Sequence, residues 1–339
     1  MTFHIAINGF GRIGRNYLRR LLAADMAGAE LRVVAINDLY DAGTLAHLLE
    51  YDSTFGRLGH EVSLAGDILN VGAHRIRMFS SRTPEDLPWG DLDVDLVIES
   101  TGKLRTRDDA ALHLKAGARR VLISAPGKGV DATLVPGVNA GDFDALRHQV
   151  VSAASCTTNC VAPLLKVLHD AFGVERGFLT TVHAYTNDQN VLDAPHKDPR
   201  RARAAAVNII PTSTGAAKAV GVVIPALAGR LDGVALRVPV VDGSISDLAL
   251  VLDTEVTAEQ VNEAVAEAAA DPELIGVIRY TEAPIVSTDV VGDPASCVFD
   301  ARLTQAHGRL VKVFAWYDNE WGYTNRLVDL TRRFAAAAG

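Results

Sequence analysis

The chain has 339 residues, 48% of them hydrophobic and 22% charged, with a net charge of −8 at pH 7. At roughly 100–200 residues per domain, this length predicts two domains, and the acidic balance argues against sequence-independent nucleic-acid binding, which needs basic patches. Apolar runs such as residues 220–227 fall far short of the about 20 needed to span a bilayer, residues 1–7 lack a signal-peptide pattern, and the three cysteines make no disulfide framework, so a cytoplasmic protein without a membrane partner is expected.

The first third alternates strand-like and helix-like segments. Phe3–Asn8 is a short β-type run ending at Gly9. Behind it, Ile13, Tyr17, Leu18, Leu21 and Leu22 share one helical face, with Arg12, Arg15, Arg19 and Arg20 mostly off it. Further apolar runs at Leu31–Ile36, Val94–Ile98, Arg120–Ser124 and Val150–Ala153 predict a parallel sheet with helices on its faces. Gly9-Phe10-Gly11-Arg12-Ile13-Gly14 matches the GxGxxG pattern in the right place, between a strand and a helix. The first glycine permits a tight turn, the second admits a pyrophosphate, and the third lets helix and strand pack closely. The helix start adds free N–H groups and a positive dipole end. The next strand ends at Asp38, 24 residues after Gly14. An acid there accepts hydrogen bonds from ribose hydroxyls and repels a 2′-phosphate, which favours NAD over NADP.

The pattern changes at Ser155-Cys156-Thr157-Thr158-Asn159-Cys160, which precedes an apolar helical stretch at Val161–Phe172. Thr157 or Thr158 is expected to cap this helix. A thiol at a helix start feels the positive dipole end, which lowers its pKa and favours the nucleophilic thiolate. A two-unit shift needs about 2.7 kcal/mol. The dipole supplies up to about 2 kcal/mol, so a histidine partner is needed. Cys160, one turn on, is expected to pack inward, and Pro163 to mark the first turn or a kink. Cys156 and Cys160 lack nearby Cys or His to complete a four-ligand site, so no metal is expected.

Longer β-branched runs follow at Phe178–Val182, Val234–Val241, Ser246–Leu252 and Leu310–Trp316, suiting a mostly antiparallel or mixed sheet. His183 ends the first of them and is a base candidate beside a long polar stretch, residues 184–208, whose length is itself a sign of function. His196 inside that stretch is the rival. Two clusters suit phosphate: Arg200-Arg201-Ala202-Arg203, which also reads as a solvated face or an inter-subunit ion-pair network, and Thr212-Ser213-Thr214-Gly215 at the start of an Ala-rich helix, together with Arg237. A final helix around Tyr323–Ala337 presents Tyr323, Leu327, Leu330 and Phe334 on one face.

Taken together, these segments resemble the glyceraldehyde-3-phosphate dehydrogenase family over essentially the whole chain. The carrying motifs are Ala6-Ile7-Asn8-Gly9-Phe10-Gly11-Arg12-Ile13-Gly14-Arg15, Ala154-Ser155-Cys156-Thr157-Thr158-Asn159-Cys160, Thr181-Val182-His183-Ala184-Tyr185-Thr186, Ile210-Pro211-Thr212-Ser213-Thr214-Gly215-Ala216-Ala217-Lys218 and Trp316-Tyr317-Asp318-Asn319-Glu320-Trp321-Gly322-Tyr323. The resemblance implies an α/β architecture: an N-terminal Rossmann NAD-binding domain over residues 1–153, an α+β catalytic domain with a mostly antiparallel sheet over 154–319, and a helix at 320–339 returning to the first domain. It implies a homotetramer acting on a phosphorylated aldehyde and inorganic phosphate. Cys156 would form a hemithioacetal and then a thioester, with His183 as its base. By the same matching, Ser155, Thr157, Thr214 and Gly215 would hold inorganic phosphate. Thr186 and Arg237 would hold the substrate's C3 phosphate, with Arg201 (or its neighbour Arg200). Arg12, Ile13, Asp38, Arg82 and Ser124 would contact NAD, Asn319 would hold the nicotinamide carboxamide, and Tyr323 would lie near the ring.

Several positions depart from the family pattern. Ala153 replaces an Asn, Pro136 precedes Gly137, Val241 stands where a proline is common, and Ala295 where a His is. None removes a chemical group named above. They raise the expectation of an isozyme that resists electrophiles aimed at the active-site thiol. The alternatives are an erythrose-4-phosphate dehydrogenase, disfavoured by the intact Tyr-Thr-Asn-Asp-Gln and Thr-Ser-Thr-Gly-Ala-Ala-Lys segments, and a non-catalytic regulatory or binding protein, disfavoured by the presence of Cys156 and His183.

Overall fold

The computed structural model describes residues 2–23 and 31–338. The chain divides into two compact units, one of residues 1–134, 142–154 and 324–339 and the other of residues 135–141 and 155–323. The first carries a nine-stranded sheet ordered Ala132–Thr133, Val150–Ser152, Arg120–Ile123, Leu96–Glu99, Phe3–Asn8, Leu31–Asn37, His74–Phe79, Ile68–Val71 and Val62–Ala65. The first seven strands run parallel, and an antiparallel meander closes the edge. The meander went unread because its exposed strands mix polar and apolar residues without a continuous run. The central strands are buried on both faces, as parallel strands covered by helices must be.

The helix Arg12–Ala23 buries Tyr17, Leu18, Leu21 and Leu22 as its periodicity predicts, but Arg15 and Arg19 are buried too. Arg15 donates to the Phe10 carbonyl at 2.8 Å, and Arg19 donates to the Leu49 carbonyl at 2.7 Å. A guanidinium can lie in such a place when backbone carbonyls satisfy its donors. The last helix, Trp321–Ala336, contributes its residues from Thr324 onward to the same unit. There the Thr331 and Tyr17 hydroxyls are 2.9 Å apart and the Phe334 ring meets Phe143.

The second unit carries a sheet ordered Ile210–Ser213, Leu231–Val238, Val174–Ala184, Ser244–Leu252, Leu310–Tyr317, Cys297–Asp300 and Ile278–Thr281, with Gln305–His307 pairing off the path. It is mixed: Val174–Ala184 runs parallel to Leu231–Val238 and Ile278–Thr281 parallel to Cys297–Asp300, the remaining pairs being antiparallel. Helix Cys156–Phe172 packs on this sheet with its Leu164, Leu165 and Leu168 fully buried. It ends at Gly173, whose φ of 67° and amide bond to the His169 carbonyl make a left-handed stop. Pro163 lies well inside this helix, not in its first turn. No helix among the described residues is long and apolar enough to cross a membrane.

Gly9 is the position where the first unit depends most on having no side chain. Its φ is 94°, and a Cβ there would sit 2.6 Å from the Thr101 amide nitrogen. Strained backbone of this kind costs about 1–3 kcal/mol. Gly9→Ala should therefore lower the unfolding free energy by at least that amount in urea denaturation, and an unchanged midpoint would contradict the packing described.

Candidate active site

The glycine turn is built from strand ends. Gly9 donates its amide to the Asn37 carbonyl at 2.8 Å, and its own carbonyl accepts from the Ser100 hydroxyl at 2.7 Å. Gly14 lies so close to Gly9 that a Cβ on it would be 2.2 Å from the Gly9 oxygen, whereas one on Gly11 would meet only open space. The turn is thus locked on its inner side and open above Gly11 and the helix start at Arg12. Asp38 closes the turn, accepting from the Phe10 amide at 2.7 Å and the Tyr40 amide at 3.0 Å. Arg12 is ion-paired to Asp52 and lies over the Phe55 ring. Burial works to raise the Asp52 carboxyl, but bonds from the Phe55 amide and Arg12 outweigh it and hold it low. Ile13 and Ser124 are half-buried, and Arg82 is exposed.

In the second unit, Ser155 rather than Thr157 or Thr158 caps the long helix, its hydroxyl accepting from the Thr158 amide at 3.1 Å. Cys156 is consequently the first helical residue. Its Sγ lies 3.4 Å from His183 Nε2, and His183 stands near the end of strand Val174–Ala184. The structure brings the two together because the helix start packs beside the end of that strand. His183 Nδ1 lies 2.7 Å from the Ala184 carbonyl, which can only accept. Nδ1 thus has an acceptor in the Ala184 carbonyl, and Nε2 is the ring nitrogen that faces the thiol. Arg237 Nη1 abuts the same Nδ1 and donates to the Ala184 carbonyl at 3.0 Å.

The electrostatics correct the expectation of a depressed thiol pKa. Burial dominates and pushes the Cys156 thiol up, while Arg237 and the Thr157 amide pull it back. Burial and Arg237 together push His183 down to about 3. Both shifts favour the uncharged forms of the pair, a thiol facing an imidazole. Cys160 is fully buried and faces Cys297, with burial raising its thiol, so it packs inward.

The anion-binding candidates divide. Arg201 Nε donates to Thr212 Oγ1 at 2.7 Å, and the same guanidinium pairs with Asp188 and Asp198, whereas Arg200 is exposed and joins the cluster only through its amide. His196 is bound to the Asp198 amide and lies 3.8 Å from Asp188, a placement within the loop. Thr212 and Ser213 end a strand instead of opening the helix; Thr214 accepts from the Ala216 amide, and Gly215 directly precedes helix Ala216–Val223. A Cβ on Gly215 would meet nothing within 4 Å. Thr186 donates its amide to Gln189. Thr157 is buried, with its hydroxyl 2.9 Å from that of Tyr317.

Tyr317 is a residue that periodicity hides, since an aromatic in an alternating strand reads as core. It is buried, its hydroxyl lies 2.9 Å from that of Thr157 and 2.8 Å from that of Thr181, and its ring meets His183 edge to face. One phenol thus ties the helix start to the strand that carries the base. Asn319 is likewise held: Ser244 donates to its Oδ1 at 2.7 Å while accepting from the Ala184 amide at 3.1 Å. Tyr323 is buried. Tyr317→Phe should destabilise the protein by about 1–3 kcal/mol through the two hydroxyls left behind, read by chemical denaturation, and should lower turnover more than it changes cofactor affinity.

Residues 3–107 match the family model described as glyceraldehyde 3-phosphate dehydrogenase, NAD binding domain, and residues 155–319 match the C-terminal domain of the same family. Among similar proteins, the glyceraldehyde-3-phosphate dehydrogenase of Streptomyces coelicolor is 58% identical over 332 residues, 98% of each chain. That of Geobacillus stearothermophilus is 54% identical over 337 residues, 99% of each chain. That of Mycobacterium avium is 55% identical over 333 residues, covering 97% of this chain and 98% of its own. With two family models matching in order and relatives this similar over nearly its full length, the chain belongs to the glyceraldehyde-3-phosphate dehydrogenase family.

Proposed function

We propose that the chain oxidises D-glyceraldehyde 3-phosphate to 1,3-bisphosphoglycerate with NAD and inorganic phosphate, in the glycolytic or the reverse direction. The observation that carries this reading is the 3.4 Å contact between Cys156 Sγ and His183 Nε2 within the family's C-terminal domain. The glycine turn fits a dinucleotide: Gly11 offers open space where a side chain would block a pyrophosphate, and Asp38 closes the strand. Gly9, Phe10, Gly11, Arg12, Ile13, Gly14, Asp38, Arg82, Ser124, Asn319 and Tyr323 are the residues this reading assigns to NAD. When bound, NAD supplies the hydride acceptor for the oxidation.

The protein's own part is proton handling and charge. Cys156 Sγ bonds to the aldehyde carbon as its proton passes to His183 Nε2, which then protonates the carbonyl oxygen and gives a hemithioacetal. During oxidation Nε2 takes that hydroxyl proton back, leaving a thioester. Phosphate, held by Ser155, Thr157, Thr214 and Gly215, attacks the thioester; the carbon–sulfur bond breaks and the sulfur leaves. Arg237, Arg201 and Thr186 anchor the C3 phosphate. Arg237 also disfavours a charged His183 at rest, which keeps Nε2 available as an acceptor. The same reading takes residues 1–153 as the dinucleotide domain, 154–319 as the catalytic domain, with the helix from 320 serving the first, and the working form as a cytoplasmic homotetramer.

A cofactor-reduction assay tests the proposal. NADH should form with the triose phosphate far faster than with erythrose 4-phosphate, and sustained turnover should require inorganic phosphate. His183→Asn should lower turnover by about 10²–10⁴-fold, Cys156→Ser should abolish it, and NAD binding should survive both. Absence of reduction by the unaltered protein would favour a binding protein on the same scaffold. We further propose that Ala153 makes the thiol tolerant of electrophilic inhibitors. It is fully enclosed within the first unit, and the next residue, Ala154, takes the left-handed conformation at φ 56°. Ala153→Asn should then speed inactivation by a cysteine-directed epoxide; equal rates would remove Ala153 as the cause.

A further inference from the structure

Two buried carboxyls face each other beside Asn319. Asp242 and Asp318 are each 1% exposed. Asp318 is saturated with amide donors: Oδ1 accepts from Glu320 at 2.8 Å and Trp321 at 2.6 Å, and Oδ2 accepts from Gly292 at 2.7 Å. Asp242 Oδ1 accepts from the Gly243 amide at 2.8 Å, but its Oδ2 meets no donor among the described residues. The register that pairs Ser244 with Tyr317, and the bond from Ser244 to Asn319, set the turn of Asp242 beside that of Asp318, whose carboxyl is itself an acceptor. Two neighbouring buried carboxylates repel, and Asp242 Oδ2 would keep no donor unless a proton lies between the two acids. Three amides favour charge on Asp318 and one favours it on Asp242, so the proton belongs to Asp242.

The turns that carry these acids leave little slack. Gly243 has φ 85°, and a Cβ on it would be 2.2 Å from the Ser287 carbonyl oxygen. Its neighbour Ser244 holds Asn319 Oδ1 and the Ala184 amide, next to His183. With Oδ1 engaged, the NH2 group of Asn319 is the end that can reach a ligand carbonyl. Asp242 and Ser244 therefore grip Asp318 and Asn319 in parallel, two residues of one turn against two of the other.

We propose that Asp242 is a positioning residue for the cofactor: its carboxyl retains a proton, donates it to Asp318, and through this bond fixes the turn that presents Asn319. The inference rests on the proposed role of Asn319 toward nicotinamide. Burial, with the charges of Asp318 and Glu320, pushes the Asp242 carboxyl from its ordinary 3.8 up to about 9. Those two acids are the titratable groups that face it. The sign follows. Above the ordinary value the unfolded chain releases this proton while the native one keeps it, so this site's contribution to stability declines as pH rises from about 4 towards about 9 and is lost beyond. Above about 9 the native pair becomes two charges, and the turns separate.

The test is NAD affinity from pH 7 to 10, by fluorescence titration of the parent and Asp242→Asn. An asparagine amide donates to Asp318 at every pH and still accepts from Gly243. The parent should lose affinity above pH about 9, approaching tenfold per unit for one proton, whereas Asp242→Asn should match it at pH 7 and stay within about twofold to pH 10. An unchanged alkaline limb in Asp242→Asn, a flat parent, or a variant that loses affinity at pH 7 would each overturn the proposal. A second readout needs no cofactor: tryptophan fluorescence of the free protein should show a transition near pH 9, reported by Trp321, that Asp242→Asn abolishes. A parent that binds no NAD at pH 7 yet keeps this variant-sensitive transition would overturn the proposed function and the link to the cofactor, but not the shared proton. A parent that binds NAD but lacks the transition would overturn the shared proton alone.

Discussion

The contact between Cys156 and His183 is the interaction on which the proposed chemistry depends, and it is set by the elements that carry them. The thiol is placed by a helix that starts one residue after a serine cap; the imidazole is placed near the end of a strand buried in a mixed sheet. Tyr317, on a third element, bonds to a threonine from each. Two consecutive elements and a third far along the chain thus converge on Cys156 Sγ and His183 Nε2. Their alignment is set by packing and buried hydroxyls, which hold geometry more firmly than solvent-exposed ion pairs do.

Burial sets the resting charge of this pair. A helix start and a nearby arginine both favour thiolate, yet desolvation outweighs them, and the same desolvation together with Arg237 keeps the histidine neutral. Both shifts favour the uncharged forms of the two groups. Cys160, four residues on, shows the limit of the same effect: enclosed by the sheet and facing Cys297, it has burial without a base.

Local patterns in the chain were enough for the elements with strong periodicity and for the turns that need glycine. The parallel strands, the first helix, the Gly9–Gly14 turn and the helix after Cys156 follow from apolar runs and punctuation. The pairing of Cys156 with His183 came only through family resemblance, because 27 residues of sequence separation say nothing about distance until the strand is placed against the helix. The identity of the cap was misread because Ser, Thr and Thr in succession are all good caps, and which one has extended backbone is a matter of how the preceding strand ends. Arg15 and Arg19 lie mostly off the apolar face, and their burial is set by tertiary contact, which supplies the carbonyls that accept from them. Tyr317 and Asp242 carry no local signal, since one looks like core and the other like a turn residue.

Not every buried acid in the chain calls for a proton, and the difference is one of donors. Glu99, in the first unit, is as enclosed as Asp242. Its Oε1 accepts from the Thr101 amide and hydroxyl, and its Oε2 accepts from Asn8 Nδ2 at 2.6 Å. His113 Nε2 lies 3.2 Å from the same oxygen, and because Trp89 donates to His113 Nδ1, the ring hydrogen must be on Nε2, pointing at Glu99. Every acceptor site is filled from the surrounding strands, and the cluster braces Asn8, the residue before the Gly9 turn. Asp242 has one amide on one oxygen and a second acid at the other. The two units therefore use buried carboxyls in opposite ways beneath the Gly9 turn and the turn of Asn319. In the first, the carboxyl collects donors and anchors a turn. In the second, the carboxyl becomes a donor, and the turn it anchors is tied to pH.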